Sequence, residues 1–125
     1  MKTCLVLEGG AMRGMFTAGV LDVFYDAGIH FDGIIGVSAG AAFGVNYLSG
    51  QPGRVIRYSK RFNSSHDYMG LRPLLKSGNI VNTEYAYDKV PRELDPFDGE
   101  TFDASGVPFW VVVTNLETGR PEYIR

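Results

Sequence analysis

Gly33-Ile34-Ile35-Gly36-Val37-Ser38-Ala39-Gly40 reads as a short buried strand that breaks into a helix at a serine, with glycines two positions to either side. A serine oxygen is a weak nucleophile. It becomes useful where a strand turns sharply into a helix, so that the side chain projects above the sheet edge on a strained backbone. Side chains at 36 and 40 would collide in that turn; glycine removes the collision, and Ala39 keeps the first helical turn narrow. Asp32-Gly33 punctuates the start of the strand, Gly33 to Val37 is rich in β-branched residues, and the small-residue run from Ala39 to Leu48 suits a helix packed close to a sheet. The spacing is moderately specific, since the chain holds 16 glycines in 125 residues. The plain alternative is an ordinary strand-to-helix turn that contains a serine.

Upstream, Thr3-Cys4-Leu5-Val6-Leu7 is a second apolar strand, leading into Glu8-Gly9-Gly10-Ala11-Met12-Arg13-Gly14. A helix follows, with Phe16, Val20, Val23, Phe24 and Ala27 at helical spacing and Gly28 as a stop. In a parallel sheet, the loop after the first strand and the turn after the second share one edge. A dinucleotide loop needs Gly-x-Gly-x-x-Gly, but Ala11 holds the middle position; a Walker loop needs Gly-Lys-Ser/Thr, and Gly14-Met15-Phe16 is not that. Nucleotide binding is therefore the lesser reading. An oxyanion hole fits better, because Gly9, Gly10 and Ala11 let backbone N–H groups approach an oxygen bearing developing negative charge. Arg13 either holds this loop, draws anionic head groups or pairs with Glu8.

Together the two clusters, Glu8 to Gly14 and Gly36-Val37-Ser38-Ala39-Gly40, resemble the amino-terminal half of the patatin-like phospholipase family. The likeness extends loosely through the later strand and Thr118-Gly119. It implies an α/β/α fold, lipid acyl-hydrolase activity without a cofactor or metal, and a Ser–Asp dyad. Ser38 would be the nucleophile, within the elbow Gly36, Val37, Ala39 and Gly40, and Gly9, Gly10, Ala11, Met12, Arg13 and Gly14 would form the oxyanion loop. Ala11 and Glu8 stand where glycine and aspartate are common in the family.

The order Ser, acid, His is absent: His66 is the only histidine after Ser38, with no acid between them, and His30 lies at the other end of the second strand. Asp67, Asp88, Asp95, Asp98 and Asp103 follow the elbow. The resemblance implies an aspartate in an Asp-Gly-Gly or Asp-Gly-Ala turn after the strand Phe109 to Thr114. Asp98-Gly99-Glu100 precedes that strand, so the dyad aspartate is expected beyond Arg125. Glu122-Tyr123-Ile124 opens a further extended segment, and residues 1–125 are expected to be the amino-terminal part of a domain that continues.

The length suits one domain, able to bury about 65% of its unfolded surface. A net charge of −2 gives no reason to expect nucleic acid as a partner. Cys4 reads as a small core residue. No signal peptide or bilayer-spanning run is legible, and a cytoplasmic protein is the simplest expectation, with peripheral membrane contact as an addition. Between Ala39 and Ser65 there are four bases, Arg54, Arg57, Lys60 and Arg61, and no acid, on a helix whose other face carries Val55, Ser59 and Phe62. That stripe is either a solvated face or a contact for phospholipid head groups. Glu84 to Asp103, rich in acids, reads as a polar connection, and Met69, Leu71, Leu74 and Leu75 read as core rather than an acyl pocket.

The expectation is thus a three-layer α/β/α domain with a mainly parallel sheet, acting on phospholipid or other acyl esters. A non-catalytic lipid-binding module of the same fold stays open beside it. Oligomeric state is not legible.

Overall fold

Alternation of side chains along three apolar runs builds the sheet. In the computed structural model, which describes residues 2–62, 65 and 67–125, β1 (Cys4–Leu7), β2 (Gly33–Val37) and β3 (Phe109–Thr114) lie side by side and parallel. A fourth strand, β4 (Pro121–Ile124), returns antiparallel along β3. The hairpin joining them is held by the Asn115 side chain, which accepts from the N–H groups of Glu117 and Thr118 at 2.9 Å each. Register places Leu5 beside Ile34 and Ile34 beside Phe109, with Leu7, Gly36 and Val111 forming the next row.

Against those rows pack α1 (Gly14–Asp26), α2 (Ala39–Leu48) and α5 (Gly99–Ala104). Leu7, Leu21, Ile34, Ala41, Tyr47 and Phe109 form the buried centre, bordered by Phe24, Phe31, Phe102 and Val111. Rings pair within it, Phe31 with Tyr47 and Phe102 with Phe109, each at 5.9 Å between centroids. This is the expected α/β architecture, a mainly parallel sheet with helices, consistent with a three-layer α/β/α fold. These elements belong to one unit of the chain, Met1–Gly53 with Asp98–Arg125.

Two sequence expectations fail here. The buried face of α1 is Gly14, Ala18 and Leu21, while Phe16 and Val23 are exposed. Small residues win that face because the helix lies close to α2, where a phenylalanine would not fit. Cys4 is exposed rather than core, since it points with Val6 to the sheet face opposite the buried row.

The other unit, Arg54–Phe97, contains α3 (Arg54–Phe62), α4 (Leu71–Ser77) and a π-helix (Tyr85–Leu94). The wide turns of the π-helix accommodate Pro91, which has no N–H to donate; Val90 and Pro91 carbonyls instead accept from Asp95 and Phe97 at 2.8 Å. The acidic stretch read as a polar connection is therefore mostly helical. The four bases of α3 do not form one solvated stripe, because Arg54 is buried. Its guanidinium lies 3.3 Å from the buried Asp95 carboxylate and also donates to the Asp95 and Pro96 carbonyls. Asp95 takes a two-pronged pair from Arg57 at 2.8 Å on each arm. The Tyr58 and Phe97 rings lie within 5.3 and 5.6 Å of the same guanidinium. Burial pushes the Tyr58 hydroxyl up to about 12. Met69, Leu71, Leu74 and Leu75, read as core, are all exposed, Leu71 and Leu75 by 76% and 87%. Among the described residues, no helix is long and apolar enough to cross a membrane.

Candidate active site

Two non-glycine residues have a left-handed φ among those described: Ser38 at 51° and Ala11 at 44°. Such conformations cost on the order of 1–3 kcal/mol each and persist only where surrounding structure enforces them. Here both fall at the carboxyl edge of neighbouring parallel strands, one after β2 and the other in the loop after β1.

Close packing enforces the turn at Ser38. A side chain at Gly36 would stand 2.7 Å from the Ala41 nitrogen, and one at Gly40 would run into the Leu7 carbonyl and stand 2.6 Å from the Glu8 carbonyl. All of these neighbours are backbone atoms, which cannot swing aside. The glycines thus let α2 start directly over the ends of β1 and β2, as the sequence spacing predicts. At Gly14 the neighbours are side chains instead: the Phe43 ring and the Ala39 methyl stand 2.8 and 3.1 Å from where its Cβ would be. The loop and the elbow touch: a Cβ on Gly9 would lie 3.1 Å from the Ser38 Cβ.

Ser38 occupies the N-cap position of α2, yet its side chain does not cap the helix. It is exposed, and its hydroxyl has no hydrogen-bond partner among the described residues. Val37 beside it is exposed, while Ala39 and Gly40 are buried beneath. The free N–H groups of the first turn of α2 face the same edge, where the helix dipole favours negative charge.

The loop continues as a 3-10 turn over Ala11–Arg13, closed by Arg13 N–H donating to the Gly10 carbonyl at 2.9 Å. Glu8, Gly9, Gly10, Arg13, Gly14, Phe16 and Thr17 line a cleft of about 370 Å³. Met12 and Arg13 are exposed, and Arg13 forms no ion pair with Glu8 among the described residues. A second cleft of about 400 Å³, between Phe102, Val107, Phe109 and Ile124, lies toward the amino end of β3. It is the larger of the two but lies at the sheet edge opposite Ser38.

His30 precedes β2, at the edge opposite Ser38, and His66 lies outside the described residues. Asp67 pairs with Arg72 at 2.8 Å and Asp88 with Arg92 at 2.6 Å. Asp95 is committed to Arg54 and Arg57. Asp98 caps α5, accepting from the Thr101 N–H at 2.9 Å and its hydroxyl at 2.7 Å; the amide bond holds its carboxyl below the usual range. Asp103 lies on α5, which leads into the amino end of β3. Asp32, expected only as punctuation, accepts from the Thr3 N–H at 2.6 Å, which likewise lowers its carboxyl and joins the starts of β1 and β2.

The family model of the patatin-like phospholipases matches residues 5–121, nearly the whole chain. Among curated proteins, the chain is 30% identical to the uncharacterized protein YjjU of Escherichia coli (strain K12), over 98% of its own length and 35% of that protein. The chain thus spans about a third of the curated relative that it matches.

Proposed function

The chain belongs to the patatin-like phospholipase family, and from that premise we propose that it contributes the nucleophile and oxyanion loop of a lipid acyl hydrolase. The observation that carries the proposal is Ser38 itself, exposed at φ 51° and ψ −119° between β2 and α2, with Gly9 packed against it. Strain of this kind holds the oxygen clear of the sheet edge.

In the proposed reaction, the Ser38 oxygen bonds to the ester carbonyl carbon while its proton passes to a carboxylate. Negative charge on the carbonyl oxygen is met by N–H groups of Gly10 and Ala11, supported by the rest of the Gly9 to Gly14 loop. The C–O bond to the alcohol breaks, and the alcohol leaves with that proton. Water then releases the acyl group by the reverse steps. Asp67, Asp88, Asp95 and Asp98 already have partners, and Asp103 lies beside the amino end of β3, away from the Ser38 edge, which supports assigning the base to an aspartate outside residues 1–125. Phospholipid or a related acyl ester is the substrate class, and a cytoplasmic protein with peripheral membrane contact is the setting.

A fluorophosphonate probe tests the assignment. The longer protein that contains this chain should be labelled at Ser38, and Ser38→Ala should abolish the labelling; equal labelling of both would falsify the proposal. The 125-residue chain alone should turn over no ester.

A further inference from the structure

Charge is segregated along this chain. Residues 39–83 hold six bases and one acid, Asp67, and Arg54–Phe97 as a unit carries a net charge of +3 within a chain of net −2. In the same unit, the stretch 68–83 contains no acid at all. It is also where large apolar side chains are left in water: Leu75 is 87% exposed, Leu71 76% and Ile80 58%.

Helix α4 sets these side by side. Leu71, Leu74 and Leu75 stand on it with Arg72 and Lys76, and Pro73 is its one buried residue. Arg72 keeps its ion pair with Asp67 while remaining 74% exposed. Exposed leucines interleaved with cations match a surface that is apolar beneath and negatively charged above. The sheet face of Val6, Ile35 and Val112 differs: Ile35 and Val112 are half-buried, and its one cation among the described residues, Arg125, lies over the Trp110 ring at the end of the sheet rather than interleaved with exposed leucines.

We propose that α4 is a membrane-docking element, its Leu71 and Leu75 entering the boundary of an anionic phospholipid bilayer while Arg72 and Lys76 meet the phosphates. The inference rests on the proposed lipid hydrolase function and names the surface through which that enzyme meets its substrate.

Flotation of the chain with vesicles tests it. Binding to vesicles of phosphatidylcholine and phosphatidylglycerol in equal parts should exceed binding to phosphatidylcholine alone and should fall with added salt. Leu71→Ser combined with Leu75→Ser should lower it roughly ten-fold or more, and Lys76→Gln roughly five-fold. Both changes fall on exposed positions, and far-ultraviolet circular dichroism checks that the fold survives. Ser38→Ala should float like the wild type. Absent flotation, equal flotation on both vesicles, or flotation unaffected by the double leucine change overturns the proposal. So does a lipid-free dimer that the leucine change dissociates, which would assign the face to a second copy. The probe experiment at Ser38 is a separate readout: labelling without flotation sinks the docking surface, and flotation without labelling sinks the hydrolase reading.

Discussion

Buried positions around the sheet are apolar residues, glycines and two neutral hydrogen-bonded side chains, Asn46 and Ser49, whereas the centre of Arg54–Phe97 contains a guanidinium and a carboxylate beside Val55, Phe62 and Val90. Around Ser38 the precision comes from backbone pressed on backbone, a device that works only with glycine. In the other unit, where few large apolar side chains are buried, the chain ends are tied by directed polar bonds to Arg54 and Asp95. Each unit also holds one costly serine. Ser38 is strained and exposed; Ser59 is buried, and its hydroxyl has no partner among the described residues. Strain together with exposure sets Ser38 apart as the candidate nucleophile, while burial alone marks a helix that accepts a small side chain.

The largest expected effect tests the polar clamp. Asp95→Ala strands the buried Arg54 charge and should destabilise by about 3–5 kcal/mol in urea unfolding. A loss below about 1 kcal/mol would mean that water reaches Arg54 and that the two units are less different than their cores imply. Next comes Gly40→Ala, whose methyl meets the Leu7 and Glu8 carbonyls; a loss of about 3 kcal/mol is expected from overpacking against immobile atoms. Wild-type stability in that variant would remove the backbone-contact explanation.

Smaller changes separate the two serines. Ser38→Gly should raise stability by about 1 kcal/mol through relief of strain while abolishing probe labelling. Ser59→Ala should gain about 1 kcal/mol by removing an unsatisfied hydroxyl, with labelling unchanged. A loss on Ser38→Gly would show the turn to be unstrained. Gly9→Ala should leave stability nearly unchanged yet slow labelling roughly ten-fold, because its methyl presses on the Ser38 Cβ.

The smallest effect is one of pH. Asp32 and Asp98 both have lowered carboxyl pKa values in the fold, from the Thr3 and Thr101 amides. Their contribution is present above the ordinary carboxylate value of about 4 and is lost as pH falls through the lower folded value. Unfolding of Asp98→Asn should therefore depend less on pH below about 4 than unfolding of the wild type does. Identical slopes would leave the α5 cap without a role in acid stability.

The glycine spacing about Ser38 and the apolar runs of β1, β2 and β3 were legible because they answer to local rules: a strand must alternate or be buried, and a tight turn must be free of side chains. Helix α2 follows from the same spacing, Ala39–Leu48 in both sequence and structure. Burial was another matter. Phe16, Cys4, Leu71 and Leu75 are apolar and fit core patterns, yet each is exposed, while Arg54 is charged and buried. Hydrophobicity records what a side chain prefers, but which face of an element is covered depends on neighbours far away in the chain. The contact of Gly9 with Ser38 is of that second kind: adjacent parallel strands bring together a loop and a turn 29 residues apart, and only their packing turns two glycine clusters into one site.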